Sequence, residues 1–299
     1  MTGCVDSGQM YHSLREKLAV LNGDVVVYPA HGAGTLCGKN LSKESSSTIG
    51  KEKQTNWSLQ EATEEEFVQN LLADQPFVPA YFPFDVEVNR RGAASLQESI
   101  NAIIIEEQAE GLEPSAWVVD VRNEAAFKKG HLPHAINLME DGKFETWLGS
   151  IIKPGEGFYL AGESREQVQR MLRRAASIGY ENAVINGLVV NAGAEQEPSL
   201  DVSAFGQELD NFTIVDVRNT SEVVQEKIFP SSIPIPLSEL RQRVEEIPTG
   251  KPIVVHCAGG YRSAAASSLI QSTLGRKVQV FDLGEAVKNF QKEGQRLEE

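Results

Sequence analysis

The sequence predicts an α/β protein built from two copies of one unit, each a parallel sheet flanked by helices, preceded by a different, incomplete α/β segment. Three observations predict it. Trp117-Val118-Val119-Asp120-Val121-Arg122-Asn123 recurs as Thr213-Ile214-Val215-Asp216-Val217-Arg218-Asn219, 96 residues further on. Downstream, Ala183-Val184-Ile185-Asn186-Gly187 loosely matches Gln279-Val280-Phe281-Asp282 and Gly284 at nearly the same offset. A spacing held over that length is a duplicated domain and too long for a solenoid repeat. Within each copy, short β-branched runs alternate with helical periodicity, which marks βαβ units. These signals divide the chain into a leading segment (1–95), a first copy (96–195) and a second copy (196–299).

The leading segment reads as a helix over 11–21, one strand over 24–28 and an acidic-faced helix over 61–72, with the Glu64-Glu65-Glu66 run facing solvent. Residues 32–53 have the Gly, Ser and Lys composition of a loop. Three prolines within 76–83 predict an extended end. One strand cannot make a sheet, so the segment is expected to need the repeats, a second copy of the chain or a partner chain to cover its apolar surface.

In the first copy, 118–121 is a buried strand, and a later helix buries Val168, Met171, Leu172 and Ala175 at i, i+3, i+4, i+7. In the second copy, 214–217 is the matching strand. Ser238 is expected to cap a helix to Glu246 with Leu240, Val244 and Ile247 on one face. Pro248-Thr249-Gly250-Lys251-Pro252 stops it, and Ile253-Val254-Val255-His256 is the next strand. A helix beginning near Ser263 carries Ala266, Leu269, Ile270 and Leu274 inward.

The 299 residues are 41% hydrophobic and 23% charged with a net charge of −14, a globular composition. That acidity argues against nucleic acid or an anionic membrane surface as partner. The one basic cluster, Arg170, Arg173 and Arg174, reads as a solvated helix face. No apolar run approaches the roughly 20 residues that cross a bilayer, and no basic-then-apolar leader opens the chain. Cys4, Cys37 and Cys257 are odd in number and far apart, so no disulfide framework and a reducing cytoplasm are expected.

Cys257 ends a buried strand, and Ala258-Gly259-Gly260-Tyr261-Arg262 leads from it to Ser263 and a helix. Two glycines let the backbone curl so that successive N–H groups converge, and the helix adds free N-terminal donors and its positive end. Arg262 adds a fixed charge. A thiol in that ring is expected to ionise more readily than a free one and to act as a nucleophile.

Cys257-Ala-Gly-Gly-Tyr-Arg262-Ser263 resembles the active-site loop of rhodanese sulfurtransferases, and Asp216-Val-Arg218 is similar to the Asp-x-Arg that ends the family's second strand. The first copy resembles the same family through Asp120-Val-Arg122 and Gly130-His131-Leu132-Pro133-His134-Ala135-Ile136-Asn137. The resemblance implies two rhodanese-like domains and a reaction in which Cys257 takes the outer sulfur of thiosulfate or a persulfide and passes it to a thiol acceptor. It casts Arg262 as cationic anchor and Ala258, Gly259, Gly260, Tyr261 and Ser263 as substrate cradle, with Ser263 capping the helix. Asp216 and Arg218 support the loop. Two positions depart from the pattern: Glu226-Lys227-Ile228 stands for Gly-His-Ile, and Phe290 for a frequent Trp.

No cysteine lies between Cys37 and Cys257, so the first copy lacks a nucleophile; counting from the matched helices puts the vacant position near Leu160. Residues 8–90, through Val25-Val26-Val27-Tyr28-Pro29-Ala30-His31-Gly32-Ala33-Gly34, resemble the C-terminal part of a metallo-β-lactamase domain in persulfide dioxygenase–rhodanese fusions, which bind one iron. The His-x-His-x-Asp-His ligand cluster is absent, so His31 is left as a lone imidazole, and no metal site or cofactor is expected. His131 and His134 are read as turn residues, and His256 as pointing away from the pocket. Three rivals remain: a non-catalytic assembly module, part of a metal-dependent persulfide dioxygenase system, and a cysteine phosphatase. Phosphatases need one residue more between Cys and Arg than Ala258–Tyr261 provides.

Overall fold

The computed structural model describes residues 2–31, 44–73, 77–107 and 109–294. They fall into two compact units, Met1–Val78 and Pro79–Glu299.

The first unit opens with α1 (Thr2–Ser13), which runs into a π-helical turn, Leu14–Leu18. This helix starts nine residues earlier than the predicted 11–21 and ends sooner. Apolar periodicity misses its start because the helix is held by its far end: Tyr11 donates to the Ala62 carbonyl at 3.0 Å, and its ring meets Phe67 edge-on at 5.5 Å. The strand expected over 24–28 shortens to β1 (Val26–Val27), which pairs antiparallel with β2 (Ser47–Thr48). Part of the predicted loop 32–53 is therefore regular; its residues 32–43 lie outside the described set. Thr48 caps α2 (Ile49–Thr55) by accepting from Lys51 N–H, a device that composition alone does not show. Helix α3 (Glu64–Leu72) begins with a full capping box between Thr63 and Glu66.

The second unit opens on two helices, α4 (Phe82–Arg91), which begins inside the 76–83 stretch expected to be extended, and α5 (Leu96–Ala102). Pro83 sits in the first turn of α4, where its missing N–H costs nothing, so the proline starts a helix instead of preventing one. The first repeat follows as β3 (Ile105–Glu106), β4 (Trp117–Asp120), α6 (Glu124–Lys129), β5 (Ala135–Asn137), α7 (Phe144–Ile151), β6 (Phe158–Gly162), α8 (Arg165–Ala176) and β7 (Val184–Val189). The second is α9 (Val202–Gln207), β8 (Thr213–Asp216), α10 (Thr220–Gln225), β9 (Ile233–Pro234), α11 (Leu237–Arg243), β10 (Ile253–His256), α12 (Tyr261–Leu274), β11 (Val280–Asp282) and α13 (Val287–Gly294). Pro236, not Ser238, precedes α11, and the helix ends at Arg243 before a 3₁₀ turn, Val244–Glu246.

Both sheets are wholly parallel, in the orders β3-β7-β6-β4-β5 and β11-β10-β8-β9. Their central strands, β4, β6, β8 and β10, are buried at every residue, which is why they read as continuous β-branched and aromatic runs without alternation. Phe205, Phe229 and Phe290 stack edge-on or tilted beneath the second sheet at 5.1–5.7 Å. Phe290 thus fills an apolar role that a larger ring could also fill.

The two repeats are joined through α12. Its Ser268 hydroxyl accepts from Asn137 N–H at 2.9 Å and its Ser272 hydroxyl donates to the Ala135 carbonyl at 3.1 Å, so the helix satisfies the open edge of β5. Arg241 of α11 adds a bidentate pair with Glu156. The arginines of α8 lie on a solvated face as expected: Arg170 and Arg173 are exposed, Arg170 pairs with Glu140 at 2.9 Å, and the half-buried Arg174 pairs with Glu145 at 2.6 Å.

Candidate active site

The carboxyl end of a central parallel strand is where open α/β sheets place their sites, and β10 delivers Cys257 there. Three residues, Ala258, Gly259 and Gly260, separate it from α12, which starts two residues before Ser263. Gly260 has φ 103°, a conformation that side chains strain against, and this turns its N–H onto the cysteine: it donates to Sγ at 3.2 Å. The thiol is 1% exposed. Its S–H faces the Ser263 hydroxyl at 3.7 Å, and Arg262, five residues on, feels its charge. The sulfur therefore lies inside the loop's ring of donors. Ala258 and Gly259 are exposed at the lip.

Ser263 does not cap the helix. Gly260 occupies that position, and Ser263, fully buried in the first turn, donates to the Gly260 carbonyl at 3.0 Å. Tyr261 leaves the ring altogether: its hydroxyl donates to the Met139 carbonyl of the first repeat at 3.0 Å, and burial pushes its phenol well above the ordinary range. Arg262 grips Glu222 with both terminal nitrogens, at 2.5 and 2.8 Å. Burial works against its charge, but the hydrogen bonds and charge of Glu222, with a smaller share from Cys257, leave its pKa above the usual value. The guanidinium also lies 6.0 Å from the Trp147 ring centroid in the first repeat.

Glu222, Trp147 and Met139 were not among the residues singled out from sequence. Glu222 had a signal: Asn219-x-x-Glu222 is a capping box, and the Glu222 carboxylate does accept from Asn219 N–H at 3.0 Å. Trp147 and Met139 had none, because they reach the site from the other repeat. Since Glu222 balances Arg262, replacing Glu222 with glutamine is expected to raise the rate of Cys257 alkylation at neutral pH roughly tenfold, the effect of an uncompensated cation beside a thiol. Stopped-flow or mass-detected alkylation reads this; a slower variant would show that Glu222 does not temper the charge.

Asp216 and Arg218 form a buried pair beneath the loop. Arg218 donates to both carboxylate oxygens at 2.7–3.1 Å and to the Glu226 carbonyl at 2.8 Å. In the first repeat Arg122 holds Asp120 the same way and donates to the Gly130 carbonyl at 2.9 Å. Because the backbone oxygen does this work, Glu226 can stand where the resemblance has glycine. His256 faces Phe229 at 4.9 Å and lies 3.7 Å from Asp216, with neither ring nitrogen hydrogen-bonded. Burial pulls it down to about 4, so it is a neutral brace.

Strand register corrects the vacant position in the first repeat. Asp216 pairs with His256 as Asp120 pairs with Ala161, so Gly162, not Leu160, stands where Cys257 stands. A Cβ there would meet Gln167 Oε1 at 2.9 Å and Val168 at 3.1 Å. Gln167 Oε1 also accepts the Glu163 N–H at 2.8 Å, closing the short loop on itself.

In the first unit, His31 is exposed and no group of three or more His, Cys, Asp or Glu among the described residues could hold a metal ion. That donor set does not fit the one iron implied by the resemblance. Cys37 and the side chain of Cys4 lie outside the described residues.

Comparison with known families matches the rhodanese-like domain twice, at residues 104–187 and 202–292. The chain belongs to the rhodanese family. Its two rhodanese-like matches fall on the two repeats, and the second contains the Cys257 loop. A Bacillus subtilis (strain 168) protein named "Putative sulfur carrier protein YrkF" is 28% identical over 149 residues, covering 48% of this chain and 72% of that one. The crystal structure of a metallo-beta-lactamase from Staphylococcus aureus subsp. aureus COL is 28% identical with a TM-score of 0.51 over 62% of this chain, which spans 50% of that protein's length. The match includes the N-terminal part, so a segment of metallo-β-lactamase type precedes the rhodanese-like pair. A rhodanese-related protein from Thermoplasma volcanium is 29% identical over 33% of this chain and 94% of its own, with a TM-score of 0.29.

Proposed function

We propose that the chain is a sulfurtransferase that carries sulfur on Cys257. The observation that supports it is the placement of Sγ inside the loop, bonded by Gly260 N–H with Arg262 beside it. In this reading the Cys257 thiolate attacks the outer sulfur of thiosulfate or of a persulfide. The donor S–S bond breaks, its electron pair leaves with sulfite or the donor thiolate, and a Cys257 persulfide forms. An acceptor thiolate then attacks the outer sulfur, forming the new S–S bond and returning Cys257 as thiolate. The N–H of Gly260, the free amides at the start of α12 and the Arg262 charge stabilise the negative sulfur at each stage. The first rhodanese-like repeat, with Gly162 at the nucleophile position, serves as the wall that Tyr261 and Arg262 lean on. The partners are then a small sulfur donor and a thiol acceptor, in the cytoplasm. The three parts are the segment 1–95, the inactive repeat 96–195 and the active repeat 196–299.

Intact-mass measurement after incubation with thiosulfate, and separately with glutathione persulfide, tests the proposal. One added sulfur atom is expected on the wild type and none on Cys257→Ser. Equal masses with both donors would leave the assembly-module reading.

A further inference from the structure

Beside the loop that carries Cys257, the first repeat reaches into the second with two side chains of α6. Asp282 ends β11 with no exposed side-chain surface. Val255 pairs with Asp282, so the chain leaving β11 runs level with the cysteine loop leaving β10. Asp282 Oδ1 accepts from Gly284 N–H at 2.9 Å, closing a tight turn with Gly284 at φ 58°. Asp282 Oδ2 lies 3.0 Å from Lys128 Nζ, and Lys128 pairs with Glu124 as well. The α-carbon of Gly284 abuts these carboxylates: a Cβ there would lie 3.3 Å from Glu124 Oε1 and 3.7 Å from Asp282 Oδ2. The α-carbon of Gly260 abuts the turn in the same way. A Cβ there would lie 3.3 Å from both the Gly284 carbonyl carbon and the Glu285 nitrogen. Gly260 N–H donates to Cys257 Sγ at 3.2 Å. An unbroken run of contacts thus leads from Lys128 to the sulfur.

We propose that Lys128 of the first repeat is a positioning residue for the sulfur cradle: by clamping Asp282 it fixes the turn on which Gly260 rests, and so holds the Gly260 N–H on Cys257. The proposal rests on Cys257 being the sulfur-carrying residue, and it gives the inactive repeat a share in the chemistry. A buried carboxylate without a cation is costly, and the ammonium satisfies Asp282 in place while its other oxygen stays on Gly284. Gly260 sits at φ 103° with no side chain to anchor it, so its orientation depends on what it leans against. A donor facing a sulfur whose charge changes is worth most when it is fixed beforehand. The linker between the repeats holds Lys128 in turn, since Glu197 N–H donates to the Lys128 carbonyl at 3.2 Å. Burial raises the Glu197 carboxyl to about 8, so at neutral pH it is largely uncharged and leaves the ammonium to Asp282 and Glu124.

The test is amide hydrogen exchange in the full chain, read at Gly260 and along β10, together with the rate of sulfur loading on Cys257 from thiosulfate or glutathione persulfide. Lys128→Met is expected to speed exchange at Gly260 about tenfold and to leave β10 as it is. It should lower the saturating loading rate about tenfold, with the half-saturating donor concentration within about twofold of wild type. Lys128→Arg should restore most of both. Asp282→Asn keeps an oxygen for Gly284 N–H but drops the charge that Lys128 holds. It should act in the same direction, and adding Lys128→Met to it should change little more. Because it strands no carboxylate, it reads the clamp even if Lys128→Met fails to fold. Unchanged exchange at Gly260, or exchange that rises equally at Gly260 and β10, overturns the proposal. Sulfur on Cys257 with no response at Gly260 removes the positioning role alone. A response at Gly260 with no sulfur on Cys257 from either donor removes the sulfur-transfer reading and leaves the clamp.

Discussion

Replacing Arg218 with methionine is expected to cost about 3–5 kcal/mol of stability at neutral pH, because it strands a carboxylate that has no exposed surface. Asp216 takes three side-chain hydrogen bonds from Arg218 and a fourth from its backbone N–H, and among the described residues no other lysine or arginine pairs with it. Urea unfolding of the full chain would read the loss. The two repeats should then differ. His256 stands 3.7 Å from Asp216, and Arg218 is one of the charges that keep it neutral. Without Arg218 the imidazole can take a proton, so part of the lost stability should return as the pH falls towards about 5. In the first repeat Ala161 occupies the matching strand position, and Arg122→Met should show no such recovery. Equal pH behaviour in the two variants would refute the role given to His256.

The second large effect concerns His256 itself. Its pKa falls from 6.5 to about 4 in the folded chain, chiefly through burial. A base depressed in this way is neutral when folded but charged when unfolded throughout that window, so acid favours unfolding. Its contribution is intact above 6.5, declines as the pH drops and is fully lost near 4. The decline amounts to about 3 kcal/mol. Subtracting the stability of His256→Leu from that of the wild type at each pH isolates it from groups such as Glu197, whose raised pKa acts in the opposite sense. A difference that stays flat from neutral to acid would show that the ring is already paired or hydrated.

Much of the site could be read from residue order. The apolar run Ile253–His256, the cysteine at its end, two glycines and an Arg-Ser before small, helix-forming residues specify strand, turn and helix locally. Three of the four central strands, β4, β8 and β10, are readable for the same reason, since burial on two faces leaves an uninterrupted apolar signal. Other features depend on partners far along the chain. Tyr261 resembles a cradle residue in sequence but docks on Met139, 122 positions away. The vacant position in the first repeat misleads a count from the helices because its loop is shorter; the ladder partner of Asp120 resolves it. The start of α4 is hidden because a proline reads as a breaker unless its place in the first turn is known.

The hydroxyls of Ser268 and Ser272, laid along β5, give the duplication a purpose beyond chemistry. Cut away from its neighbour, the first repeat would show bare amide and carbonyl groups on its outermost strand, an invitation for like molecules to zip together. The first repeat is therefore a poor candidate for a separate life: the second shields its outermost strand from self-association, and a gene that split the two would leave that half sticky.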